Sequence, residues 1–353
     1  MENVVANIRQ MQRSKPKVVK NDARKVQKLR LAAQLLSLGL NIWIGVQFYL
    51  WLEHVRIGVG PVVSRPPGVE GWLPIGSLVS LRYWLESGII NAIHPAGMFI
   101  LIAVLLTALF FKKGFCSWVC PVGFVSEILG DISEKLWGRR LKPPRWLDWP
   151  LRSLKYLLLA FFLWAVLISM TPESIRSFIY SDYNLVTDVL MLRFFTHASR
   201  LSVIVIAALF LLSFVIRGFW CRYLCPYGAL LGLIGLVSPS RIRRNVSTCI
   251  DCAACAKACP SFIKVDKISQ VNSDECTGCL ACVDACPVKS TLEVKALTRK
   301  RTVAPWRWAA VLLIFFWGSL FAVKVFGPWE NAVTNEQYKQ HIEKAYRGEY
   351  THP

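Results

Sequence analysis

The sequence predicts an integral-membrane α-helical protein, with about five transmembrane helices in two parallel pseudo-repeats and a small cysteine-rich α+β domain on its cytoplasmic side. Three observations carry that expectation. Hydrophobic residues make up 54% of the 353-residue chain and the mean hydropathy is +0.41, values typical of a membrane protein rather than of the two soluble domains that length alone would allow. Apolar stretches close to spanning length recur along the chain. The Lys and Arg residues between them are distributed very unevenly.

Taken in order, residues 1–30 form a basic leader with no apolar run. The first apolar stretch begins near Leu31 and is too long for the roughly 7–15-residue core of a signal peptide, so it reads as a retained anchor. Crossing a bilayer takes about 20 apolar residues, and the candidate spans are 31–52, 95–111, 154–170, 201–217 and 306–326. The middle three are short, and Lys112, Lys113, Lys155 and Arg217 are expected to snorkel at their ends. Trp306, Trp308 and Trp329 bracket the last span as interface aromatics. The Pro- and Gly-rich loop 58–76 reads as extended or turning, not helical. Stretches 77–90 and 185–195 carry apolar residues at helical spacing, as helices lying in the interface do. The polar tail has room for a short helix near 331–347, free or docked.

The positive-inside rule orients these elements. Segments 1–30, 112–155 and 217–305 hold 31 Lys and Arg, whereas 53–96, 171–200 and 327–353 hold 9. The N-terminus and the cysteine-rich segment therefore face the cytoplasm across a bacterial or archaeal inner membrane, and the C-terminus faces the periplasm. The net charge of +20 is then topology and attraction to membrane lipid, not nucleic-acid binding. The expected domains are the leader 1–30, membrane repeats 31–145 and 146–244, the cysteine-rich domain 245–297, a C-terminal transmembrane helix 298–327 and a periplasmic tail 328–353.

All twelve cysteines fall in metal-ligand patterns. Eight form two copies of C-x2-C-x2-C-x3-C-P, the run of bacterial two-cluster ferredoxins. In that run the fourth cysteine ligates the other cluster. The expected ligand sets are therefore Cys249, Cys252, Cys255 and Cys286 for one [4Fe–4S] cluster, and Cys276, Cys279, Cys282 and Cys259 for a second. The spacing does not suit structural zinc or a secreted disulfide scaffold.

Cys116 and Cys120, then Cys221 and Cys225, form two copies of C-x3-C-P-x-G, and the second copy has one extra residue before it (GFCSWVCPVG against GFWCRYLCPYG). Two residues four apart share a helical face. Pro121 and Pro226 are placed to start the next helices, whose N–H groups favour thiolates. Two facing pairs would supply four ligands for a third iron–sulfur centre. A redox dithiol, a soft-metal site such as copper, and buried structural thiols are the competing readings.

The duplicated C-x3-C-P after transmembrane spans, followed by a two-cluster ferredoxin segment, resembles the membrane polyferredoxins over about residues 31–295. These are relatives of the quinol-dehydrogenase subunit of periplasmic nitrate reductase systems and of the membrane protein serving nitrous oxide reductase. The resemblance implies respiratory electron transfer through iron–sulfur centres at all twelve cysteines, often with quinone and partner redox subunits such as cytochromes. It departs from relatives that carry an outer flavin-binding domain or an outer β-sandwich, for which the tail here is too short.

Three histidines, His54, His94 and His197, fall at outer span ends, where they could hold a haem or bind a quinone head group. Placement at the interface is the competing reading, and no pair of histidines lies within the spans for a mid-membrane haem. Gln34, Asn41 and Gln47 in the first span are expected to bond to neighbouring helices. The function expected is an electron-transfer subunit, relaying electrons between the ferredoxin clusters and quinone or a partner subunit of an oxidoreductase complex. The alternative is a redox maturation factor that reduces or loads copper for another metalloenzyme.

Overall fold

The structure, a computed structural model, describes residues 19–21, 26–138, 143–295 and 302–350. The first half runs through α1 (Val26–Ile57), a 3-10 turn (Pro67–Trp72), α2 (Pro74–Ser87), α3 (Pro95–Phe111), α4 (Gly114–Trp118) and α5 (Pro121–Trp137). The second runs through α6 (Arg145–Trp164) with a π turn at Ala165–Ser169, α7 (Pro172–Ile179), α8 (Asp182–Leu185), α9 (Thr187–Thr196), α10 (Arg200–Val215), a π turn at Trp220–Leu224 and α11 (Pro226–Leu236). Proline opens α2, α3, α5 and α11, a position whose N–H has no helical partner in any case.

The chain is mostly helical, with several apolar helices. Helix α1, residues Trp146–Ser169 and the later helix α14 (Pro305–Phe326) are long and apolar enough to cross a bilayer. Helices α9 and α10 reach that length only as a pair, and the pair is bent by 77°. Helix α3 has 17 residues. Large apolar side chains stand in the open on these helices, among them Leu36, Ile204, Ile314 and Phe321; so much exposed apolar surface needs a hydrocarbon surrounding. Helix α3 is central, burying Ala96, Met98, Val104 and Ala108 completely against α2, α11 and α14.

The cysteine-rich segment folds as a small sheet with two short helices. Strands β1 (Arg241–Arg244) and β2 (Leu292–Lys295) pair antiparallel with Ile242 opposite Val294, and β3 (Thr302–Val303) adds to β2. Helices α12 (Ala254–Ala258) and α13 (Ala281–Ala285) pack together.

This unit sits directly on the helix ends, which corrects the snorkelling expectation. Lys112 and Lys113 are 3% exposed and Lys155 is wholly buried. Lys112 donates to the Val271 carbonyl at 3.1 Å, Lys155 pairs with Glu275, and Arg217 reaches Asp131 at 2.7 Å. Their counterpart is protein rather than water. Gln34 and Gln47 do bond to other segments, at the Ser117 and Ser64 carbonyls, whereas Asn41 turns back to Ser37 of its own helix.

On the outer side, the loop expected to be non-helical contains the 3-10 turn, and α2 begins within it. The tail forms α15 (Asn335–Arg347), started by a Thr334/Gln337 capping box. It docks on its own chain: Tyr338 stacks edge-on to Trp51 at 4.9 Å, and Ile342 and Ala345 are buried.

Candidate metal centres

The two ferredoxin loops share one backbone shape. The chain enters the left-handed region at Asp251 and Ala253 in the first loop and at Gly278 and Leu280 in the second. For non-glycine residues that conformation costs on the order of 1–2 kcal/mol. N–H groups of Gly278, Ala256, and Ser261 with Ile263 face Cys276, Cys255 and Cys259 and favour their thiolates, while the Cys286 thiol donates to the Val288 carbonyl at 3.4 Å. Such N–H contacts stabilise and tune a thiolate-held centre. At Gly278 the backbone also passes close to α14, and a Cβ there would lie 3.0 Å from the Trp308 ring.

Cysteines of the two runs meet at one cavity. Cys249, Cys252, Cys255 and Cys286 line one small cavity. Cys282 lies in the field of Cys279, Cys276 and Cys259, in that order, and more weakly of Cys255 across the domain. Burial pushes the Cys259 thiol up to about 11 and that of Cys282 well above its ordinary range. Buried thiolates need a compensating cation, which an iron core provides while displacing their protons. Among the described residues no three His, Cys, Asp or Glu side chains converge tightly enough to hold a single metal ion. The four thiols instead share the wall of one cavity.

Cys116, Cys120, Cys221 and Cys225 come from the two halves of the chain to the wall of one cavity of about 1130 Å³. Cys120 and Cys225 sit at the N-terminal ends of α5 and α11. The Cys225 sulfur accepts the Gly228 N–H at 3.2 Å, and Gly123 and Val122 donate to Cys120. The extra residue of the second motif, Trp220, is absorbed in a π turn where the first motif has the α-helical α4, the usual way a helix takes in one residue. The motif glycine has a steric reason: a Cβ at Gly123 would lie 2.3 Å from the Cys116 carbonyl oxygen. Burial raises the Cys221 thiol to about 12, and Cys225 and Cys120 push the same way.

Two polar groups that the motifs do not announce enter this cavity. Lys113, read from sequence as a snorkelling residue, lines it beside the four thiols. The Ser126 hydroxyl, 6% exposed, also lines it. It faces Cys221 and lowers that thiol's proton affinity, yet completes no hydrogen bond of ordinary geometry. An orphaned buried hydroxyl facing Cys221, in a cavity lined by four half-buried cysteines, fits a site built for a further group.

The quartet is tied to the ferredoxin unit on one side. Ser117 Oγ donates to the Thr277 carbonyl at 2.7 Å and Trp118 Nε1 to that of Gly278 at 3.1 Å. Arg222, between Cys221 and Cys225, holds Asp148 with two N–H groups and donates to the Ser261 carbonyl at 3.1 Å. Thr277, Gly278 and Ser261 belong to the loops of Cys276, Cys279 and Cys259.

The three outer histidines have different surroundings. His94 is buried, bonded to the Asn184 carbonyl at 2.7 Å and 3.5 Å from Glu70, inside a network in which Arg65 pairs with Glu70 and Asp188. His197 is exposed beside Thr196. His54 lies near the C-terminal end of α1, with Nδ1 buried and unbonded.

Comparison with known proteins agrees with this arrangement. The 4Fe-4S binding domain matches twice, at residues 93–140 and 200–245, and the 4Fe-4S dicluster domain matches at 241–287. The protein YccM of Escherichia coli is 45% identical over 333 residues, covering 92% of each chain. The chain belongs to the membrane polyferredoxin family. Within the family it is similar to the methylamine utilization ferredoxin-type protein MauN of Methylorubrum extorquens, 29% identical over 67% of this chain and 75% of that one. It is also similar to the ferredoxin-type protein NapH of Escherichia coli, 26% identical over 64% and 72%. No solved structure matches. As a polyferredoxin with these domains, the chain has an iron–sulfur electron-transfer role.

Proposed function

We propose that this polyferredoxin is the membrane subunit of a respiratory redox complex, passing electrons between two cytoplasmic ferredoxin clusters and quinone or a partner subunit by way of a third centre at the C-x3-C-P quartet. Cys249, Cys252, Cys255 and Cys286 would hold one four-iron cluster, and Cys276, Cys279, Cys282 and Cys259 the second. Cys116, Cys120, Cys221 and Cys225 would hold the third. When bound, these groups supply one-electron redox chemistry; the chain's contribution is to space them, bury them and aim N–H groups at their sulfurs. Helices α1, α3, α6, α10 and α14 are the proposed spans of two parallel repeats in the inner membrane, with the Lys- and Arg-rich segments cytoplasmic. The twofold match of one domain model supports the repeat.

One observation carries the reading. The cavity whose wall includes the four thiols is also lined by apolar side chains of the spans, among them Leu40, Ile44, Val104, Phe316 and Leu320, and by Ser261 and Thr277 of the ferredoxin loops. It therefore offers an apolar molecule from the bilayer a way to the quartet, next to the cluster loops. The test is anaerobic protein in lipid nanodiscs, with full cluster content, mixed with a short-chain quinol and with the matching quinone. Turnover in either direction supports quinone exchange. No reaction either way, with iron content unchanged, eliminates the quinone step and leaves a partner subunit as the exchange point.

A further inference from the structure

Lys113 and Ser126 are the two buried polar side chains at the quartet that the electron-transfer reading does not use. Lys113 follows α3 directly, and its side chain crosses to the second motif: its Cε lies 3.5 Å from where a Cβ on Gly228 would stand. Gly228 is the residue whose N–H donates to Cys225. Lys113 thus reaches from the first half of the chain to the cysteine turn of the second. Its neighbours Lys155 and Arg217 are closely paired with carboxylates, whereas Lys113 makes no such close pair among the described residues and acts on the Glu275 carboxylate, which lines the same cavity, only from a greater distance. Its charge acts on Cys116, Cys221 and Cys225, and also on Cys276 of the adjacent cluster loop. Ser126 comes from α5, on the side of Cys221, with its hydroxyl unsatisfied.

We propose that Lys113 and Ser126 form a polar collar that raises the midpoint potential of the iron–sulfur group held by Cys116, Cys120, Cys221 and Cys225: Lys113 places a positive charge beside it, and Ser126 donates its O–H to a sulfur. This rests on the third centre proposed above. Reduction adds one negative charge to such a group, and an adjacent ammonium and an inward O–H both favour the more negative form; in a buried site these interactions are weakly screened. Both are positioning residues, since the four cysteines alone would ligate.

The experiment is an EPR-monitored redox titration of the anaerobic full-length protein in nanodiscs, comparing wild type with Lys113→Met, Lys113→Arg, Ser126→Ala and Ser126→Thr. For Lys113→Met the reduced-to-oxidised ratio of the third centre at fixed potential should fall about tenfold, a shift of about 59 mV for one electron. Ser126→Ala should move it the same way by less, and Lys113→Arg and Ser126→Thr should stay near wild type. If Lys113→Met fails to assemble the centre, Ser126→Ala, which removes a single hydroxyl, carries the test. An unchanged midpoint in Ser126→Ala, together with equal behaviour of Lys113→Met and Lys113→Arg at full iron content, overturns the collar while leaving the third centre in place. Only eight irons in wild type would instead overturn the third centre, and the collar with it.

Discussion

The ferredoxin loops and the C-x3-C-P quartet solve one problem, that of holding sulfur ligands around a buried volume, in opposite ways. Each ferredoxin loop carries its own geometry: left-handed residues at Asp251, Ala253, Gly278 and Leu280 aim the loop's N–H groups at its own sulfurs. Only Cys286 comes from the other loop to the cavity lined by Cys249, Cys252 and Cys255. The quartet has no such autonomy. Its cysteines come from two halves of the chain, one turn α-helical and the other a π turn, and its polar lining includes Lys113 and Ser126, outside both motifs. A local motif specifies a local site, whereas a shared site depends on how whole helices pack. Perturbing packing should therefore damage the quartet before the ferredoxin clusters.

The largest expected effect sharpens the ferredoxin side. If the loops exchange their fourth ligands, Cys249→Ala combined with Cys286→Ala should remove no more iron than Cys249→Ala alone. Cys249→Ala combined with Cys259→Ala should remove both ferredoxin clusters, about eight irons. Iron and sulfide analysis of anaerobic preparations distinguishes the two, and the reverse pattern would mean that each run binds its own cluster.

The next effect contrasts the two motif glycines. A methyl at Gly123 would stand 2.3 Å from the Cys116 carbonyl oxygen, whereas at Gly228 its nearest neighbours are 3.5 Å away, an ordinary contact. Gly123→Ala should cost about 1–3 kcal/mol by overpacking and lower occupancy of the third centre. Gly228→Ala should leave it nearly intact. Equal losses of the third centre's EPR signal in both variants would break the asymmetry.

The junction between the two regions rests on Glu275. Burial would raise its carboxyl, but Lys113 and Lys155 override that and bring it from 4.5 to about 2. A depressed acid stabilises the fold above its unfolded value and loses that contribution as pH falls. Docking of the ferredoxin unit should therefore weaken as pH drops below 4.5 toward about 2. Glu275→Gln leaves Lys155 buried and unpaired and should cost about 3–5 kcal/mol. Proteolytic release of the ferredoxin unit, followed against pH, reads both; a flat profile in wild type would contradict the assignment.

The smallest effect lies on the outer face. Burial would lower His94, but its hydrogen bond and charge interaction with Glu70 raise it above 6.5. A raised base stabilises the protonated fold, so this contribution is full below 6.5 and is lost as pH rises through the higher folded value. Thermal unfolding in detergent should show a modest decline over that window in wild type, and none in His94→Gln.

Much of this was legible in the sequence, for physical reasons. Helix positions followed from apolar runs, and the dicluster segment from cysteine spacing, because both signals are local. The fates of Lys112, Lys113 and Lys155 were not, since a basic residue at a span end reads alike whether water or a docked domain lies beyond it. Ser126 carries no motif, and only the fold brings it opposite Cys221. The docking of α15 through Tyr338 and Trp51 depends on a contact between the two ends of the chain, which no local pattern records.

The central claim is that the two C-x3-C-P turns jointly hold a third cluster, and iron counting tests it most directly. Anaerobically purified protein should contain about twelve irons per chain with matching acid-labile sulfide, falling to about eight, with both ferredoxin EPR signals retained, when Cys120 and Cys225 become Ala. About eight irons in both proteins would contradict the account and leave the quartet to thiol or copper chemistry.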